Sequence, residues 1–182
     1  KIVFFFKKNQ KLIYNDIRKF GFIKFYANSE YSEISHLKKL GPEPLENEFN
    51  FNYFKKKIIH KNRMVKDVMM DQTFVSGLGN IYVNEILFLS KVRPTRKVKY
   101  LKNSEIKEII KNTKKILKNS IKLGGSSIKN FSSDDGKKGI YQQFFKVYAR
   151  NNETCSNTDC NNSIIRIVIS NRASFFCKNC QK

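Results

Sequence analysis

Apolar residues along this chain follow two different periods, and the change from one to the other divides it. Near the start, Lys1–Phe6 and Lys11–Tyr14 flank the polar Lys8-Asn9-Gln10, which predicts two strands and a turn; the aromatic-rich Phe20–Tyr26 predicts a third strand. A short helix is expected over Ser32–Leu40, stopped by Gly41-Pro42-Glu43-Pro44. Beyond that punctuation the period becomes helical, with helices expected over Glu46–Lys57, Lys66–Gln72 and Ile81–Ser90. The most regular pattern is Asn103–Leu123, where Ile106, Ile109, Ile110, Thr113, Ile116, Leu117 and Ile121 share one face. Asn103 or Ser104 suits its cap, Glu105 its first turn, and Gly124-Gly125 its end. Residues 126–142 hold few apolar positions and predict a long loop, the kind that is functional or disordered in a compact domain. Phe144–Tyr148 predicts a strand. Ile164–Ile169, a turn at Ser170-Asn171 and Ala173–Phe176 predict a hairpin near the end.

The 182 residues fit one large domain or two small ones, and a 40% hydrophobic content supports a core. No apolar run approaches the ~18 residues of a membrane span. Lys1–Phe6 is too short for a signal-peptide core, and its basic residues follow it rather than precede it. The sequence opens without Met inside a strand-like run, and we expect a fragment of a longer protein.

Charge changes the picture more. A net charge of +21 is too basic for an ordinary metabolic enzyme and points to a polyanionic partner. Lysine supplies 29 of the 36 basic residues, and Asn and Ile are also abundant. All three have A-rich codons, so genome composition accounts for part of the excess. The seven Arg are therefore the more informative cations, since the guanidinium offers forked hydrogen bonding that an ammonium does not. Lys107, Lys111, Lys114, Lys115 and Lys118 on the outer face of the long helix read either as a solvated stripe or as a nucleic-acid contact.

All four Cys lie after Thr154. Cys155 and Cys160 form one close pair and Cys177 and Cys180 another, with the predicted hairpin between them. Such pairs suit tetrahedral thiolate coordination of one structural Zn²⁺, and four sulfur ligands leave no open position for catalysis. Free or disulfide-bonded thiols are the other reading. Arg172 falls at the hairpin tip, where a braced base would hold it outward. Val75-Ser76-Gly77-Leu78-Gly79-Asn80 joins two helices; it reads as a plain turn, or as a phosphate seat at the N–H groups near Gly79 and Asn80.

Four segments occur in a telling order. Leu40-Gly41-Pro42-Glu43-Pro44-Leu45 comes first. Asp71-Gln72, Gly77-Leu78-Gly79-Asn80-Ile81-Tyr82 and Glu85 follow. Gly124-Gly125-Ser126-Ser127, Asp135-Gly136-Lys137, Gln143 and Val147-Tyr148 come next, and the Cys pairs with Arg172 come last. Together they resemble formamidopyrimidine-DNA glycosylase, a bacterial base-excision repair family that removes oxidised purines. They correspond to its interdomain linker, helix–two-turn–helix motif, lesion-recognition segment and zinc finger.

The resemblance runs from about Asp16 onward and implies roles residue by residue. Asp16-Ile17-Arg18-Lys19-Phe20-Gly21 is similar to a family loop reading Asp-Pro-Arg-Arg-Phe-Gly. There Arg18 would face the orphaned base and Phe20 would wedge into the stack. Lys61 matches a DNA-binding lysine and Asn80 a phosphate-contacting asparagine. Arg172 matches an arginine implicated in DNA contact and late elimination chemistry. Two departures stand out. The family's first Cys pair is usually two residues apart rather than four. Its N-terminal proline nucleophile, adjacent glutamate and first-domain lysine have no match in a chain that begins with Lys1. An α-amine of pKa about 8 is an apt nucleophile, which makes that gap consequential.

The expected fold is α+β. The end of a β-sandwich domain would fill residues 1–40, a helical domain with the two-turn motif and lesion loop 41–148, and a β-hairpin zinc finger 149–182. The resemblance implies a bifunctional glycosylase and abasic-site lyase acting through a Schiff base on damaged duplex DNA, with one Zn²⁺, as a monomer in the bacterial cytoplasm at the nucleoid. The chain itself would be the DNA-binding part and inactive alone. An endonuclease VIII-type enzyme for oxidised pyrimidines and a non-catalytic DNA-binding zinc protein are the alternatives.

Overall fold

The computed structural model describes residues 1–16, 19–27, 34–127 and 139–182. The chain separates into two compact units, Lys1–Lys38 and Lys39–Lys182.

In the first unit, β1 (Ile2–Phe5) pairs antiparallel with β2 (Lys11–Tyr14), Ile2 opposite Tyr14 and Phe5 opposite Lys11. The turn is closed by the Phe6 N–H donating to Gln10 O at 2.9 Å. The strand expected over Phe20–Tyr26 does not form: among the described residues β1 and β2 pair only with each other. Aromatic composition favours a strand only where a neighbouring strand supplies the ladder and the pleated surface to pack on. Phe20 and Phe25 are instead 84% exposed. A single turn, α1 (Ser35–Lys38), ends the unit. The helix expected from Ser32 extends into positions outside the described residues.

The second unit is built on four helices. α2 (Phe51–Ile58) starts five residues later than expected, because Asn50 caps it: its Oδ1 accepts the Tyr53 N–H at 3.0 Å. Phe49 and Phe54 are fully buried, and Phe54 meets Phe74 edge-on at 4.9 Å. α3 (Val65–Met69) and α4 (Asn80–Leu89) flank the glycine turn. α5 (Asn103–Lys122) closes the core. The expected caps Asn103 and Ser104 lie inside α5; Lys102 precedes it, and Glu105 Oε2 accepts the Lys102 N–H at 2.6 Å. Its buried face runs Ile106, Ile109, Thr113, Ile116 and Ser120. Ile121, expected on that face, is 66% exposed. Five residues past Ile116 is about 140° round the helix, so the stripe continues through Ser120.

Past the undescribed 128–138, the chain re-enters at Gly139, where a Cβ would collide with the carbonyl oxygens of Gly124 and Gly125. A 3-10 turn, Tyr141–Phe144, follows. The strand expected over Phe144–Tyr148 is absent because its donors are taken by a side chain. Glu85, 3% exposed, accepts the N–H groups of Lys146 at 2.8 Å, Val147 at 3.0 Å and Tyr148 at 2.8 Å. β3 (Ile164–Ile169) and β4 (Arg172–Cys177) then form the expected hairpin, Ile164 opposite Cys177 and Ile169 opposite Arg172.

Candidate nucleic-acid interface and metal centre

The hairpin delivers its two ends to different tasks. At the open end, the sulfur atoms of Cys155, Cys160, Cys177 and Cys180 all lie within 4.8 Å of one another. Cys155 and Cys180 are 3.8 Å apart, Cys160 and Cys177 3.6 Å. Four sulfurs at about 2.3 Å from a common centre would be separated by about 3.8 Å, so the donor set fits a tetrahedral cation. The longer first loop is accommodated by a turn in which the Cys160 N–H donates to Asn157 O at 3.1 Å. The thiols are not equivalent. The Asn162 N–H and the Asn179 amide hold Cys160 down to about 6, whereas burial pushes Cys155 up to about 12. A bound cation would bring all four to the thiolate form.

The second Cys pair is also latched to the helical part of the unit. Gln181, 0% exposed, accepts the Cys177 N–H at 3.0 Å through Oε1 and donates through Nε2 to Val92 O at 2.8 Å. Arg93 donates to the carbonyls of Lys178 at 3.1 Å and Gln181 at 3.3 Å. Arg96 pairs with Glu105 at 2.5 Å, extending the latch to the start of α5.

At the closed end, Ser170 and Asn171 have φ of 47° and 60°, the double left-handed turn that matches strand twist. Arg172 follows, exposed. The carbonyl behind it, Ala173 O, accepts Lys66 Nζ at 2.7 Å and Asn80 Nδ2 at 3.0 Å. Lys66 Nζ also reaches Ser174 Oγ at 2.5 Å. Asn84 accepts the Phe175 N–H at 2.7 Å and donates to Asn80 O at 2.6 Å. α3 and α4 therefore strap the strand that carries Arg172. Lys66 is 1% exposed, and burial, aided by Arg172, lowers its pKa to about 8 against the pull of Asp67.

A hollow of about 300 Å³ opens beside the tip, lined by Arg63, Lys66, Asp67, Asp71 and Arg172 among others. Arg63 pairs with Asp71 at 2.6 Å across it. The Thr73 hydroxyl first, and then Arg63, hold Asp71 down to about 2. The adjoining turn is fixed by Gln72, which accepts the Gly77 N–H at 2.7 Å and donates to Leu78 O at 3.0 Å. Gly77 has φ of 75°, which favours glycine, and a Cβ at Gly79 would meet nothing within 4 Å. Gly79 is the N-cap of α4, and Asn80 is its first residue. The first-turn N–H groups of that helix lack intrahelical partners, as at any helix start.

The structure thus ties Asn80 to Ala173 O, next to Arg172, and gathers the four Cys. Lys61 sits just beyond α2, half-buried, its N–H donating to Ile58 O at 2.8 Å. Phe20 belongs to the first unit. Arg18 lies outside the described residues, as do Asp135, Gly136 and Lys137. Lys66, Asn84, Arg93 and Gln181 were not singled out by sequence, and Glu85 entered only as part of a motif. The one available signal was Lys66 itself, a cation placed among the apolar Val65, Val68 and Met69 of a short helix.

Comparison with known proteins supplies the family. The profile of the formamidopyrimidine-DNA glycosylase H2TH domain matches residues 40–132. The formamidopyrimidine-DNA glycosylase of Listeria monocytogenes is 39% identical over 181 residues, 100% of this chain and 66% of the relative. That of Rickettsia bellii is also 39% identical and is covered to 65%. The chain thus spans slightly less than two thirds of the length of these relatives. Among solved structures, the complex of Lactococcus lactis Fpg with an abasic site containing DNA is similar with a TM-score of 0.87 at 36% identity, over 96% of this chain and 64% of that one. MutM (Fpg) from Thermus thermophilus gives 0.77 at 32% identity, over 84% and 57%. With the helix–two-turn–helix geometry and the four-cysteine hairpin module in place, the chain belongs to the formamidopyrimidine-DNA glycosylase family.

Proposed function

We propose that this protein acts in base-excision repair as a bifunctional DNA glycosylase and abasic-site lyase for oxidised purines, and that these 182 residues supply its grip on damaged duplex DNA. The observation that carries the reading is the pair of donors on Ala173 O. Lys66 and Asn80 tie the Arg172 tip to the two-turn motif beside a cationic hollow. In this reading Arg172 contacts DNA next to the lesion and assists the late elimination step. Lys61 and the start of α4 at Asn80 bind backbone phosphates, where N–H groups and the helix dipole favour an anion. Arg18 and Phe20 fill the gap left by the extruded base. Extrusion costs a few kcal/mol, and an inserted ring with a cation offsets part of it. Cys155, Cys160, Cys177 and Cys180 hold one Zn²⁺, whose contribution is to fix the open end of the hairpin. The protein works as a monomer on the bacterial chromosome in this reading; its named relatives are bacterial.

The purine enzyme is preferred over the pyrimidine sibling on the resemblance of the 126–141 and 16–21 segments. The amine nucleophile of the family has no counterpart in this sequence, so the chain alone should bind without cutting. Two measurements test this. Phe20→Ala should weaken binding to an abasic-site duplex about tenfold more than to an intact duplex, in line with a stacking contact of about 1–3 kcal/mol. Equal losses would make Phe20 a residue of the fold alone. Borohydride should trap no adduct of residues 1–182 on abasic-site DNA; efficient trapping would show that the nucleophile lies within this chain.

A further inference from the structure

A cleft of about 430 Å³ lies between the end of α4, the second half of α5 and the 3-10 turn Tyr141–Phe144. It shares no lining residue with the hollow beside Arg172. One wall is apolar, formed by Leu89, Ile116, Leu123, Tyr141 and Phe144. Phe144 is 50% exposed there and lies over Tyr141, ring centroids 6.2 Å apart and planes 28° from parallel. An exposed ring lying over a buried one is a platform on which a further flat ring can stack. The rim carries Lys115, Lys122 and Lys146, all exposed, and Lys146 also acts electrostatically on the Glu85 carboxylate. The floor includes Glu85, whose charge already faces three N–H groups. Its Oε2 accepts only one of them and retains acceptor capacity.

These features combine a stacking surface, three exposed cations and a buried acceptor within one cavity. We propose that this cleft is a second nucleotide site, separate from the hollow beside Arg172, which takes a free purine 5′-mononucleotide. The base lies against Phe144 and the apolar wall, the exocyclic amine approaches Glu85, and the phosphate sits among the three lysines. The volume of about 430 Å³ is of the size that a base, a sugar and one phosphate require. The inference stands apart from the glycosylase reading, since it uses none of Arg18, Phe20, Lys61, Asn80 and Arg172.

The test is a titration of the metal-loaded chain with AMP, adenosine and inorganic phosphate, followed by amide NMR shifts. AMP should saturate one site, with shifts centred on Leu89, Ile116 and Leu123, and should bind about tenfold tighter than adenosine or phosphate. The triple variant Lys115→Gln, Lys122→Gln and Lys146→Gln should lose about tenfold for AMP and little for adenosine. A charge-matched control, Lys55→Gln, Lys57→Gln and Lys178→Gln, should bind AMP as the parent does. Phe144→Ala should weaken AMP and adenosine alike by about tenfold, and it carries the test if the triple variant fails to fold. Shifts that spread over the basic surface without saturating would overturn the proposal. So would phosphate matching AMP, or a cleft-lysine variant that behaves like the control.

Discussion

Lys66 places an ammonium group almost wholly inside the protein, held by Ala173 O and Ser174 Oγ. Its folded pKa of about 8 lies below the ordinary 10.5. Between those values the unfolded chain binds a proton that the folded chain does not, so this residue's contribution to stability rises with pH across the window. Below pH 8 the cost of the buried charge is fully present. At about 1.4 kcal/mol per unit, the contribution is on the order of 3–4 kcal/mol. Many lysines titrate in the same range, so the informative quantity is the stability difference between the parent and Lys66→Met. Urea unfolding at pH 7.5, 9 and 10 should show that difference growing in the parent's favour. A difference independent of pH would mean that Lys66 titrates like a surface lysine. Such residues escape a reading of sequence for a physical reason. Cys155 and Cys160 announce themselves because their partners are also Cys. Lys66, Glu85 and Gln181 bind backbone atoms of remote segments, and a backbone atom has no residue identity to recognise.

β4 is the element on which the arginine tip and the cysteine cluster converge. Its first residues are tied to α3 and α4, and its last is latched by Gln181 to the loop after α4. Gln181→Ala should therefore weaken metal binding by about 10–100-fold, the usual effect of losing a group that orients a ligand. Competition with a chromogenic chelator reads this directly, and an unchanged affinity would remove Gln181 from the metal's support. Full chelation should collapse the amide signals of β3 and β4 while leaving those of α5, whose buried stripe is independent of the cysteines. Elements with a strong period were legible in the sequence: α5 and the β3–β4 hairpin lie within a residue of expectation. Elements whose outcome depends on a partner were not. Phe20–Tyr26 has strand composition but no ladder. Phe144–Tyr148 has strand composition but donates its N–H groups to Glu85. The start of α2 was misplaced because Asn50, not the preceding acidic stretch, sets the cap.

Across the whole molecule, the two basic residue types divide the work. The described Arg63, Arg93, Arg96 and Arg150 are spent on carboxylates and carbonyls within the fold. The long-range field is left mostly to lysine, with the exposed Arg166 and Arg172 beside it. Binding to duplex DNA should accordingly be governed by counterion release. With six or more phosphates contacted, the log–log dependence on salt should have a slope of about −5 or steeper. A flat dependence would assign the lysine excess to codon composition. The straps on β4 have one further consequence, for the order of assembly. Lys66 meets Ala173 across 107 positions of sequence, and Gln181 meets Val92 across 89. Contacts of such separation form late, because the loop between them must close first. During synthesis the helices are complete long before β4 emerges to meet them. The cysteine module thus docks late, onto a surface already made, and the arginine tip is presented only once the helices have folded.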